Sequence, residues 1–326
     1  MILRITTIAA IALTAACSGD QSDKREEARE YYRTNNTVIP ANDEILTFPA
    51  LPEPSGIRPQ ANPDRNAYFG DLHVHTTLSF DASAFGTTAS PSDAYRYAQG
   101  EAIRHPSGFE VQLAQPLDFY AVTDHAVLLG LINEAADTST TFSQYELAKP
   151  YHNINESVDG GLLDLAKRSK VFNNFVADVV ASLLDGTFSN SVVNGASKSA
   201  WLQTVEAADE AYKPGTFTTF AGYEFTSSTE EREALHRNVI FRGTKRLPAQ
   251  PFSRFNSTNP EGLWDWMDVL REQGIESLAI PHNSNGSNGA MFAFTDWAGK
   301  AIDQEYADQR LRNEPLVEIT QVKGTS

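Results

Sequence analysis

Two histidines one residue apart, His73 and His75, stand in the string Tyr68-Phe69-Gly70-Asp71-Leu72-His73-Val74-His75-Thr76-Thr77. On an extended strand, residues i and i+2 project to the same side. Both imidazoles can therefore aim at one point, as a bound metal requires, and imidazole is the commonest neutral metal ligand. A lone His-x-His is also ordinary on a half-solvated strand, so the weight falls on the apolar runs further along the chain. Residues 117–122 form an apolar run that ends in Thr123-Asp124-His125, and the β-rich run 216–223 ends in Glu224. Residues 278–281 lead into His282, and Leu316-Val317 lead into Glu318. Each of these groups alone reads equally well as a satisfied interior histidine or a capping carboxylate. Five runs that all end this way describe a pocket of nitrogen and oxygen donors, suited to zinc, manganese or iron. Two or three such ions close together activate water and neutralise a phosphoryl oxygen.

Composition narrows the chemistry further. Cys17 is the only cysteine in the 326 residues, so an intrachain disulfide and a thiolate metal cage are both excluded. The formal charge of −16 argues against nonspecific binding to nucleic acid or anionic lipid. It leaves room for a small anionic substrate held by metal ions.

The elements that must position these groups can be read in order. Residues 1–17 have an early Arg4, a short apolar core and small residues up to Cys17, the layout of a secretory signal. Leu13-Thr14-Ala15-Ala16-Cys17-Ser18 resembles a bacterial lipobox, with Thr14 where leucine is usual. That resemblance implies lipidation of Cys17 and a membrane anchor, and Ser18 implies sorting to the outer membrane. Residues 18–65 read as a charged and then proline-rich flexible tether, with the folded domain expected over 66–326. Ser90-Pro91-Ser92-Asp93 marks a helix start. Leu165, Phe172, Val176, Val179 and Leu183 keep helical spacing and carry no site candidate, which predicts a packing helix or a lid. Trp201, Leu202, Val205, Ala208 and Tyr212 predict another helix, and Asn259-Pro260-Glu261 caps a third. Apolar runs alternating with helices predict an α/β fold with a mainly parallel sheet, with site residues at the C-terminal strand ends.

The ordered motifs resemble a known family. Asp71-Leu72-His73-Val74-His75-Thr76, Thr123-Asp124-His125, Gly222-Tyr223-Glu224 with Leu235-His236-Arg237-Asn238, and Ile280-Pro281-His282 match successive motifs of the PHP (polymerase and histidinol phosphatase) superfamily. The longer string from Arg65 to Thr76, with Ala94-Tyr95-Arg96-Tyr97-Ala98 and His282-Asn283-Ser284-Asn285, resembles domain-of-unknown-function family 3604 within it. The resemblance implies a distorted TIM-like (β/α)7 barrel with a helical insertion, up to three divalent metal ions, and phosphoester hydrolysis by metal-activated water. Carried over by position, His73, His75 and Glu224 would hold a first ion, and Glu224 would bridge to a second with His236 and His282. His125 and Asp81 would serve a third. Asp124 would orient a ligand or act directly, and Asn283, Asn285 and Glu318 would line the substrate pocket. His105 and His152 match no motif and read as surface residues.

The expectation is a lipid-anchored metallohydrolase on the periplasmic face of a bacterial envelope, acting on a small ester with no nucleic-acid partner. Two other readings stand beside it. One is an amide or sulfate-ester hydrolase on the same barrel; the other is a binding protein with a defective site. The family's late Asp-x-His does not occur after His282, and no terminal helix follows residues 316–320. Both features predict a barrel incomplete at its C-terminus.

Overall fold

The computed structural model describes residues 41–51, 65–156, 162–184, 187, 189–227 and 234–325. The signal segment, Cys17 and most of the tether lie outside the described residues. Strand β1 (Ile45–Thr47) is an exception within the expected tether. It pairs antiparallel with residues 246–248, and Ile45 and Phe48 pack on the core. Apolar side chains at 45, 46 and 48 have a sheet edge to cover, so the fold begins before Asn66.

Strand β2 (Gly70–Asp71) leads into the His73 loop. Helix α1 (Phe80–Ala84) follows, then α2 (Pro91–Ala98), where Ser90 and Asp93 form a reciprocal capping box. A small hairpin, β3 (Ile103–Arg104) with β4 (Glu110–Val111), precedes β5 (Phe119–Tyr120) and α3 (Leu131–Ala136). Two long helices, α4 (Leu162–Leu184) and α5 (Asn190–Ala211), come next. Strands β6 (Thr218–Thr219), β7 (Gly222–Phe225), β8 (His236–Phe241) and β9 (Arg246–Pro248) lead to α6 (Pro260–Glu272) and β10 (Ser277–His282). Helix α7 (Gln304–Asn313) and a last hairpin, β11 (Thr320–Gln321) with β12 (Gly324–Thr325), end the described chain. Among the described residues no helix is long and apolar enough to cross a membrane.

Strands β2, β5 and β6 pair in parallel, as alternation with helices predicts. Strands β7, β8 and β10 are antiparallel, which departs from the expected parallel arrangement. The reason is the link: only residues 226–235 join β7 to β8, and a parallel crossover needs about a dozen or more. Residues 121–126 stitch the two sheets together. Thr123 N–H donates to the Val74 carbonyl (2.7 Å), and Glu224 N–H donates to that of Asp124 (2.9 Å).

Strand alternation then sorts the side chains. Tyr223, Phe225, Val239 and Phe241 point to a core shared with Trp201 of α5 and Leu263 and Met267 of α6. The opposite face carries Glu224, His236 and His282 above a small apolar layer of Ala121, Ile240 and Ile280. Helix α4 packs through Phe172 on Phe80 of α1 (rings 5.5 Å apart), and buried Arg168 donates to the Ala84 carbonyl (3.3 Å). Helix α4 therefore braces the short helix that carries Asp81. A Cβ at Gly70 would lie 2.2 Å from the Phe119 carbonyl oxygen, so β2 pairs with β5 only through glycine. Gly70→Ala should cost about 1–3 kcal/mol by overpacking, read as a lower urea midpoint; an unchanged midpoint would refute the tight pairing.

Candidate metal centre

Glu224 is fully buried on β7, and five imidazoles converge on its carboxylate. Its Oε2 lies 2.8 Å from His75 Nε2 and 3.4 Å from His73 Nε2. Its Oε1 lies 2.7 Å from His236 Nδ1, 3.2 Å from His125 Nδ1 and 3.4 Å from His282 Nε2. The two oxygens thus face two different groups of histidines.

The backbone explains the convergence. His73 and His75 leave β2 on a loop whose Val74 N–H donates to Thr123 Oγ1 (2.9 Å). His236 and His282 are register partners on β8 and β10. His282 ends its strand, but His236 begins its own, because an antiparallel neighbour presents its N-terminal end at the same edge. His125 sits beside Glu224 through a parallel bridge between their backbones. Its Nε2 lies 3.2 Å from Asp81 Oδ2, and Asp81 Oδ1 is 3.4 Å from His75 Nδ1.

Every expected metal ligand is therefore brought together: His73, His75, Asp81, His125, Glu224, His236 and His282. The groupings His73/His75/Glu224, His75/Asp81/His125, His125/Glu224/His236 and His73/His282/Glu318 each gather three donors within ligating reach. Asp124 lies elsewhere. It is 1 % exposed and spends its carboxylate on Thr76, accepting from the backbone N–H (2.5 Å) and from Oγ1 (2.7 Å). It fixes the turn after His75 rather than facing the pocket. Asn283 follows His282 in the left-handed region (φ 59°), whereas exposed Asn285 donates to the Lys323 carbonyl of the last hairpin (3.4 Å). His105 stacks on Phe109 and His152 bonds the Ser143 carbonyl (2.9 Å), both outside the cluster. Thr226, hydrogen-bonded to His125 Nδ1, is a partner the motifs did not single out. Thr226 lies just past the end of β7, two residues after Glu224.

Charge state follows from burial and neighbours. Burial opposes ionisation of Glu224, yet the His125, His236 and His73 imidazoles beside it hold its carboxyl well below the usual range. Burial also disfavours a charged His75, but Asp81 and Glu224 outweigh it and push the imidazole up to about 10. Burial draws His125 and His282 down, and it raises Asp124 to about 6. Neither ring nitrogen of His282 makes a hydrogen bond among the described residues, although the side chain is wholly buried. A buried imidazole with a carboxylate oxygen at 3.4 Å but no hydrogen bond is costly, and an electron-pair acceptor at its nitrogen would remove that cost.

Metal ligation requires neutral imidazole, so a cation must displace the proton from His75. Binding should strengthen as pH rises toward about 10. At pH 7 zinc should release at least one proton, measured by calorimetry in buffers of different ionisation enthalpy. The metal-free fold carries the opposite dependence. Stability from protonated His75 is fully present below its ordinary pKa of 6.5 and is lost as pH rises through about 10. Zinc binding with no proton release would contradict this charge state.

A family model described as "Protein of unknown function (DUF3604)" matches residues 62–326. No curated protein and no solved structure matches the chain.

Proposed function

The chain belongs to the DUF3604 family, and from the site it carries we propose a metal-dependent hydrolase of small esters, phosphoesters first. The observation that carries this reading is Glu224 ringed by five histidines, with buried His282 lacking any hydrogen bond. A carboxylate and imidazole lone pairs turned on one another repel unless protons or cations stand between them. Without a cation, all five imidazoles would have to turn an N–H toward the same carboxylate, and a nitrogen–oxygen donor set without thiolate suits zinc, manganese or iron.

Two of the groupings, His73/His75/Glu224 and His125/Glu224/His236, share only Glu224, and its Oε2 and Oε1 face them separately. We assign these residues to two bridged ions. His282 stands by the Oε1 side, and Asp81 stands between His75 and His125. Such a pair supplies Lewis acidity and a nucleophile at neutral pH. The chain's own residues do the rest. Glu224 holds the two groups together, Asp124 fixes the His75–Thr76 turn, and Asp81, itself held by Ser79 Oγ (2.5 Å) and the Ala82 N–H (2.7 Å), orients His75 and His125. Membership of the PHP superfamily, a TIM-like barrel and a lipid-anchored periplasmic location are parts of the same proposal, supported by the ordered motifs and the N-terminal pattern.

The test is metal counting with turnover. The full chain purified with zinc or manganese should hold about two ions and cleave generic phosphate mono- or diesters. Glu224→Ala should lose most of the metal and all turnover. Cleavage of sulfate esters or amides alone would favour the other hydrolase. Bound metal without turnover on any ester would favour a binding protein.

A further inference from the structure

Glu318 matches none of the metal-ligand motifs, yet its Oε2 lies 2.8 Å from His73 Nδ1. The contact has support from both ends of a short segment. The Glu318 backbone N–H donates to the Pro281 carbonyl (3.0 Å), which sets residue 318 beside the end of β10, next to His282. Four residues earlier, Glu314 is buried. Its Oε1 accepts from Arg237 Nε and from Trp264 Nε1 (2.8 Å), and its Oε2 accepts from Arg310 Nε (3.1 Å). Arg237 follows His236 directly on β8, and its side chain is 2 % exposed. The strap 314–318 is thus clamped in the core at one end and along a metal-bearing strand at the other.

Two roles compete for Glu318. It completes a three-donor grouping with His73 and His282, which would make it a ligand through His73 Nδ1. A neutral imidazole has only one lone pair for a metal. His73 Nε2 already faces Glu224 Oε2 and the His75 side of the cluster. With Nε2 committed there, Nδ1 carries the hydrogen, and a Glu318 oxygen at 2.8 Å is an ordinary acceptor for it. Outer carboxylates of this kind fix the tautomer and ring orientation of a ligating histidine.

We propose that Glu318 is a positioning residue that holds His73 with Nδ1 protonated and Nε2 turned to the cluster, and that the buried Glu314–Arg237 pair sets where Glu318 stands. The proposal rests on the metal reading of the site and extends it to a residue outside the ligand motifs. Its test uses the full chain loaded with zinc and challenged with increasing chelator, counting the zinc retained. Glu318→Ala should still reach the wild-type zinc content at saturation but surrender it at roughly 10–100-fold lower chelator. Glu318→Gln, whose amide oxygen still accepts from Nδ1–H, should return retention to within a few-fold of wild type. Long-range 1H–15N spectra of the zinc-loaded wild type should show His73 as the Nδ1–H tautomer, a readout independent of how the variants fold. A missing zinc equivalent at saturation in both variants, or a His73 with Nδ1 on the metal, would make Glu318 a ligand and overturn the proposal. Unchanged retention in Glu318→Ala would also overturn it. A wild type that holds no zinc would instead remove the metal reading, and this inference with it.

Discussion

The whole site depends on one buried carboxylate. Glu224 sits at 0 % exposure with five imidazole nitrogens between 2.7 and 3.4 Å from its oxygens. Burying a charge without partners costs several kcal/mol even after relaxation, on the order of magnitude known for buried ions. The surrounding fold therefore has to deliver positive charge to that point. Protons on the histidines do so in part, and divalent cations would do so more completely. Positions of β2, β7, β8 and β10, and of the segment after β5, are all constrained by this demand.

Much of the site was legible in the sequence because strand geometry is simple. The two-residue spacing does bring His73 and His75 to one carboxylate, but from the loop after β2 and not from a strand. Apolar runs before His73, Asp124, Glu224 and His282 marked strands, the run before Glu318 forms none, and the ordered motifs named residues that the structure gathers. His236 departs from the strand-end pattern of the other groups because it begins its strand. Its strand is antiparallel to β7, so the same edge of the sheet is reached from the other end of the chain segment. Connection length carries that information, since residues 226–235 are too few for a helical crossover. Strand β1 was missed for a different reason: proline-rich composition masked a short apolar stretch that a sheet edge could recruit.

Long-range pairings were not legible. Glu314 and Arg237 are 77 positions apart, and nothing in either local pattern announces a buried pair. Asp124 shows the converse. Its place in a Thr-Asp-His motif pointed to a ligand-orienting or direct role, and only its hydrogen bonds, spent on Thr76 beside His75, separate the first from the second. Motif position fixes where a residue lies on the strand edge. Hydrogen-bond partners decide what it does there.

Helix α4 illustrates how an element without chemistry still serves the site. Phe172 and Arg168 brace α1 through Phe80 and the Ala84 carbonyl, and α1 carries Asp81 beside His75 and His125. The central claim, that this cluster is a metal cage and not a polar core, is tested most directly by crystals of the protein grown with zinc or manganese. Diffraction data at the metal's absorption edge should give two anomalous peaks flanking the Glu224 carboxylate, each about 2.0–2.2 Å from histidine nitrogen. A map with no peak there, and with His282 hydrogen-bonded to ordered water, would contradict the account.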